Sequence, residues 1–357
     1  MNYRWFEYLS GLGITTPGTE FINLKGDEPI SAFMVQVRLT GATGSPVAPA
    51  DQAIVRFKVV DGSTVIHNTK GIAGVPIHFN NLGYEPMHFN AYANLIQNIA
   101  TFIIPFGRFL GDPDYAFDPT KFKNPKIELE HNYALGGLGT PSAATIQLYA
   151  MMFDEKSPSL KGYLMCKEQH SATLVASTPY SVDLPTDYTL RALMVQSYAK
   201  GYSPTDQFGS LKLSEDNDKR IIFDESCSNL VKLIFPQKMF MEKGLGYTNN
   251  TTTRLHYGYP TYEAYVNAMS TDVATDVYQD VVYGPNFDVK SAATTEFTYQ
   301  RFGHCPNGMI HIPFGDQMNP DDWYKMRSDL DLELKLSVGS CLTSSTGQII
   351  TQQEVLY

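Results

Sequence analysis

The chain has 357 residues, of which 18% are charged and 12% aromatic, and carries a net charge of −10. That length accommodates two domains of about 150 residues, and so few charges beside 22 Tyr and 20 Phe point to a surface covered by other protein. An acidic chain with no Lys/Arg run has no electrostatic hold on phosphates, which excludes direct nucleic-acid binding. A membrane-spanning helix is excluded because the most apolar stretch, "LIQNIATFIIPF", is interrupted by Gln97, Asn98 and Pro105.

In chain order, residues 1–19 read as an N-terminal arm with no charged region followed by an apolar core, so no secretory signal is expected. Within it Tyr3, Trp5, Phe6, Tyr8 and Leu9 accompany Arg4. This pattern suits either a membrane interface or packing on a neighbouring subunit; Glu7 balances Arg4 and leaves little attraction to anionic lipid. "AFMVQVRLTG" (32–41) reads as a strand. In "DQAIVRFKV" (51–59), Val55, Phe57 and Val59 alternate with Arg56 and Lys58, the mark of a half-buried strand, and Asp61-Gly62 turns it into a hairpin. Pro86 suits a first helical turn, and Phe89, Tyr92, Ile96 and Ile99 follow at helical spacing. Then come "IIPFG" (103–107), Asp112, Asp114 and Asp118, and the alternating "KIELEHN" (126–132). "GGLG" (136–139) reads as a hairpin, and "DEKSPSLKG" (154–162) as a polar stretch whose residues 156–162 are the linker.

The second half repeats the first. "ALMVQSYAKG" (192–201) shares five of ten residues with 32–41, and "DQFGSLKL" (206–213), closed by "EDND" (215–218), answers 51–59 and its turn. "YEAYVNAM" (262–269), after Pro260, matches "FNAYANLI" (89–96) and is expected to share its helical form. "HIPFG" (311–315), followed by Asp321 and Asp322, answers 103–107, and "DLELKLS" (331–337) answers 126–132. The offset grows from 160 residues at the first match to 208 at Ile-Pro-Phe-Gly, so the second copy gains an excursion, placed at about 270–309. Inside it Val273, Val277 and Val281 lie four apart behind Ser270, an N-cap for a further helix. A repeat this long is a whole domain rather than a solenoid unit.

Two such copies describe an all-β protein: two tandem eight-stranded jelly-roll sandwiches, each with a short helix and long loops, at 20–155 and 163–357. Cys166, Cys227, Cys305 and Cys341 form no Cys-x-x-Cys and are expected as reduced thiols. The Asp clusters next to proline suit turns, or Ca²⁺ through carboxylate oxygens. Asn249 and Asn250 begin Asn-x-Thr sequons, which matter only in a glycosylating host.

Over roughly 20–357 the chain resembles the double-jelly-roll major capsid proteins of tailless membrane-containing bacteriophages, related archaeal viruses and the adenovirus hexon. The resemblance rests on the tandem copies, a helix in each, one enlarged loop, the arm, and the block "IPFG…DPDYAFDPTKFKNPKIELE" (104–130). It implies two rolls side by side in a pseudo-hexagonal homotrimer that tiles an icosahedral shell. It implies towers at the outer end, with 270–309 among them, and an inner end facing a lipid membrane touched by the arm. Minor capsid or penton proteins would be further partners. The site would be the virion, after synthesis in the host cytoplasm, with no catalytic residue, metal or cofactor.

Two other readings use the same architecture. A bicupin-type enzyme would need convergent histidines, yet no two of His67, His78, His88, His131, His170, His256, His304 and His311 are two residues apart. No Gly-x-Ser-x-Gly or phosphate loop is present either. A carbohydrate- or receptor-binding module would stack sugars on exposed aromatics, with only Trp5 and Trp323 as tryptophans.

Overall fold

The computed structural model describes all residues except 1–2, 25, 41–48, 93–96, 136–142, 156–157, 200–201, 235–238, 249–253, 257–259, 271–275, 280–286, 291–294, 328 and 340–344. The first half runs β1 (Tyr3–Gly13), β2 (Gly18–Asn23), β3 (Ile30–Thr40), β4 (Ile54–Asp61) and β5 (Thr64–Thr69). Helix α1 (Gly71–Leu82) follows, then β6 (His88–Tyr92), β7 (Gln97–Pro105), β8 (Pro125–His131) and β9 (Ala143–Phe153). The second half opens with β10 (Gly162–Thr173), β11 (Pro179–Asp183), β12 (Thr189–Tyr198), the single helical turn α2 (Pro204–Gln207), β13 (Phe208–Glu215), β14 (Arg220–Ser226) and α3 (Cys227–Ile234). An excursion holds β15 (Phe240–Thr248), β16 (Arg254–His256), β17 (Tyr262–Ser270), β18 (Asp276–Gln279), β19 (Phe287–Lys290) and β20 (Thr295–His304). The chain closes with β21 (Met309–Pro313), β22 (Leu332–Val338) and β23 (Thr346–Leu356).

Leaving out β6 and the excursion, the strands form two sandwiches of identical order. In the first, β1-β9-β3-β7 faces β2-β8-β4-β5; in the second, β10-β23-β12-β21 faces β11-β22-β13-β14. The register makes the duplication concrete. Ala32 lies opposite Pro105 and Phe33 opposite Ile104, while Ala192 lies opposite Pro313 and Leu193 opposite Ile312. The repeated Ile-Pro-Phe-Gly therefore marks the same strand in both rolls. Bulges recur as well: the register shifts between Ile30 and Ala32 and between Leu190 and Ala192, then again between Ile54 and Arg56 and between Phe208 and Ser210. The match of 126–132 to 331–337 is two residues out, since Ile127 pairs with Val59 where Leu334 pairs with Leu213.

Each sandwich buries the inward residues that alternation marks. Phe33, Phe57, Phe102, Phe106 and Phe117 fill the first core; Leu193, Val195, Leu211, Leu213 and Leu334 fill the second. The Phe of each Ile-Pro-Phe-Gly plugs one end of its own core, Phe106 against Phe33 at 5.7 Å and Phe314 against Tyr324 at 5.5 Å. His67, buried between Phe57 and Phe106, has its pKa pushed down to about 3 by burial.

Several expectations need correction. Residues 3–13 form no free arm: β1 pairs antiparallel with β9, from Tyr3 opposite Phe153 to Gly13 opposite Thr145, and is the edge strand of the first roll. The helical spacing at 89–99 belongs to strands β6 and β7, and 262–269 lies in β17. β6 sits between β7 and β15 whereas β17 is an outer edge, so these two segments are not counterparts. Because that match anchored it, the excursion was placed too late; it begins by Phe240. Val277 lies in strand β18, and Val273 and Val281 lie outside the described residues.

Among the described residues the helices longer than one turn are α1 and α3, in the same place after β5 and β14. Gly71 and Gly74 let α1 approach closely: a Cβ on Gly71 would meet the Asp51 carbonyl oxygen at 2.1 Å, and one on Gly74 the Phe102 ring at 2.4 Å. Gly74→Ala is expected to destabilise the protein by about 1–3 kcal/mol through overpacking, as chemical denaturation would show, even though alanine is the better helix former.

Candidate functional site

The feature that one chain of this design can use is the seam between its rolls. There β5 runs parallel to β10 with Asn68 opposite Lys167, which joins β2-β8-β4-β5 to β10-β23-β12-β21 as one continuous sheet. Arg56 donates to Asn68 Oδ1 (2.9 Å) and pairs with Glu168 (3.1 Å), and Lys70 lies 3.5 Å from the same carboxylate.

Helix α1 seals the seam. Val75 and Phe79 point into the first core, while Ala73 and Ile77 pack on Cys166, Met194, Met309 and Ile350 of the second roll. Pro76 lacks an N–H, so the Ile72 carbonyl four residues earlier has no helical partner. The second roll supplies two: Gln196 Nε2 at 3.0 Å and Asn307 Nδ2 at 2.8 Å. Asn307 Nδ2 also donates to Asp51 Oδ2 at 2.8 Å. Asn307 (φ 52°) sits in a left-handed stretch with Cys305 and Gly308, and a Cβ on Gly308 would meet the Ser197 carbonyl oxygen at 2.2 Å.

No family model matches the chain and no curated protein is similar to it in sequence. Solved structures are. The atomic structure of Sulfolobus Turreted Icosahedral Virus matches all of this chain and 91% of its own at TM-score 0.59 and 10% identity. VP54 of PBCV-1 matches at 0.56 and 9% identity, covering 99% of this chain and 94% of its own. The major capsid protein P2 of bacteriophage PM2 matches at 0.54 and 8% identity, covering 99% and 98%. The chain is a double jelly roll.

The double jelly roll has two unlike ends. At one, both Ile-Pro-Phe-Gly segments turn out of their strands into loops that grip each other. In each loop an Asp carboxylate accepts the N–H of the residue after the glycine, Asp112 from Arg108 (3.0 Å) and Asp322 from Asp316 (2.6 Å). A Cβ on Gly107 would meet Asp112 Cβ at 2.6 Å, and one on Gly315 the Asp322 carboxylate at 2.7 Å, which accounts for glycine at both positions. Arg108 chelates Asp112 through Nε (2.7 Å) and Nη2 (2.8 Å), binds Asp114, and reaches across to the Met318 carbonyl at 3.0 Å. Tyr115 meets Trp323 across the seam at 6.0 Å, and Arg191 lies over the same indole. The Asp clusters thus serve turns, Asp118 capping Thr120 and Asn319 capping Asp321. Among the described residues no three His, Cys, Asp or Glu side chains converge as metal ligands.

At the other end the excursion roots in the opposite roll. β15 pairs in parallel with β6, and Phe240 enters the first core, 5.5 Å from Phe79 and stacked on His88 at 5.2 Å. Glu242 forms a fully buried pair with Arg301 and accepts from Tyr299.

The segment singled out near the start lies on β1. Tyr3 donates to the Gly111 carbonyl (3.2 Å), Arg4 pairs with Glu28 (2.8 Å), and Tyr8 and Leu9 pack on the first core. Trp5 and Phe6 are exposed. Trp323 is buried, so it offers no sugar-stacking surface. Cys166, Cys227 and Cys305 are free and buried; Cys341, Asn249 and Asn250 lie outside the described residues. Grooves of about 250 Å³ beside Lys243 and 230 Å³ beside Lys70 have no carboxylate, histidine or thiol among their described lining residues.

Sequence reasoning missed α1 because two glycines and a proline read as loop. It also missed Asp51, whose complete burial raises its pKa from 3.8 to about 7. A folded-state value above the unfolded one means that folding takes up a proton between about pH 4 and 7, so this group's contribution to stability falls as pH rises through that window. Asp51→Asn removes the titration and is expected to gain stability relative to the natural protein from pH 4.5 to 8, read as the difference in thermal midpoints. Asn307→Ala strips amide bonds from Asp51 and Ile72 and puts alanine at a left-handed φ; a loss of about 3 kcal/mol is expected in denaturant titration.

Proposed function

We propose that this double jelly roll is a viral major capsid protein whose activity is self-assembly. The observation that carries the reading is the seam. A single chain sets two equivalent rolls flank to flank as one rigid block, so three chains supply six similar flanks, and a threefold object acquires a nearly hexagonal outline. Such an object tiles an icosahedral lattice.

The full-length likeness to capsid proteins of three viruses supports this use, as does the low charge of the chain. A heterologous contact whose rotation is a third of a turn closes a ring of three rather than running on as a filament, and ring closure covers strand edges that would otherwise aggregate. The excursion end is the outer, tower-bearing face. The Ile-Pro-Phe-Gly end, which also holds the start of β1, faces inward, toward a lipid membrane in the particle. Minor capsid or penton proteins fill the remaining positions. No catalytic step and no cofactor belong to this role.

Native mass spectrometry of the purified protein is expected to give a species of three chains, and negative-stain images a hexagonal outline. A monomer that persists at high micromolar concentration would sink the reading.

A further inference from the structure

We propose that the seam inside the chain is the template for the contact between chains, with Leu233 of α3 seated against Trp5 on the outer face of the first roll of a second copy. This rests on the assembly reading above and assigns the residues that carry it.

Equal register identifies the counterparts. Ala32 faces Met151 as Ala192 faces Gln352. Trp5, opposite Met151, therefore takes the place of Cys166, opposite Gln352. By the same pairing Tyr149 stands for Ile350, Met34 for Met194, and Thr101 for Met309. Lys58 faces Asn68 as Lys212 faces Asp224. Continuing from those strands into the helices, Val75 corresponds to Val231 and Ile77 to Leu233. The first of these pairs is self-checking, because both valines face their own cores.

Within the chain Ile77 is 1% exposed and fills the surface made by Cys166, Met194, Met309 and Ile350. Its counterpart Leu233 is 69% exposed, and Trp5, the counterpart of Cys166, is 48% exposed. One flank of the molecule thus carries an uncovered aliphatic knob and the other an exposed indole beside half-buried Met34 and Tyr149. β14 and β1 are the open edges of their sheets on those same flanks, where β5 and β10 meet inside the chain. A chain cannot bring its own Leu233 to its own Trp5, because its rolls are already joined by their other flanks. A second copy can.

The copied contact lacks the polar half of the original. Lys232 replaces Pro76 and leaves no freed carbonyl, while Ser210 and Ser226 stand where Arg56 and Lys70 hold Glu168, whose counterpart is Glu7. The copied contact therefore rests on apolar burial rather than on ion pairs.

The test uses the full chain and two surface substitutions, Leu233→Glu and Trp5→Glu. Each is expected to lower the association constant by about 30-fold or more in sedimentation, with an unchanged thermal midpoint for the single chain. As a second arm, Trp5→Cys and Leu233→Cys proteins are mixed under a small-molecule disulfide. The mixture is expected to give chain pairs cross-linked between unlike variants, with neither variant alone doing so. Variants that assemble as the wild type does despite either charge substitution, together with no mixed cross-link, would overturn this contact and leave the assembly reading standing. A wild-type protein that never associates would overturn both.

Discussion

A single missing N–H organises this molecule. Pro76 breaks the ladder of α1 and leaves the Ile72 carbonyl oxygen unpaired within the helix, at a point buried between the rolls. A buried carbonyl without a partner is costly, and Gln196 and Asn307 of the second roll satisfy it. The first roll therefore completes its own helix only by docking on the second. Glycines at 71 and 74 seat the helix closely on its own roll, against Asp51 and Phe102, and Ala73 and Ile77 add apolar contact with the second roll around the bond.

This explains why two copies of one domain are not interchangeable. Strand order, pairing register and bulges persist in both, because a slip of one residue would turn every core side chain outward. The helices have diverged: α1 has proline, two glycines and a buried Ile77, while α3 has Lys232 and an exposed Leu233. The conserved part builds a roll, and the divergent part decides whether its flank is sealed at synthesis or left for association.

The ends show the same division. The paired Ile-Pro-Phe-Gly loops share the glycine and the aspartate that receives its neighbour's N–H, since the sharp exit from the strand is common to both rolls. Arg108 is added in the first copy alone and binds the loops together through the Met318 carbonyl. At the opposite end the buried pair of Glu242 and Arg301 and the entry of Phe240 into the first core fix the excursion over the roll to which it does not belong in sequence.

The all-β class, the duplication, three of the five counterpart pairs (32–41 with 192–201, 51–59 with 206–213, and the two Ile-Pro-Phe-Gly strands) and the hairpins at Asp61-Gly62 and 215–218 were determined by sequence alone. Period-two burial and turn chemistry are local and leave a local trace: Gly62 and residues 216–218 do adopt positive φ. The tertiary structure alone decided the position of the helices, the pairing of β1 with β9, and the seam. α1 is helical against its own glycines and proline because packing between two sheets outweighs propensity. Phe89 and Ile99 mimic a helical repeat although they lie on two successive strands, directly opposite each other across the β6–β7 pair. Asp51 and Asn307 lie 256 residues apart, and no pattern within a strand or turn can announce a bond that exists only once both rolls have folded.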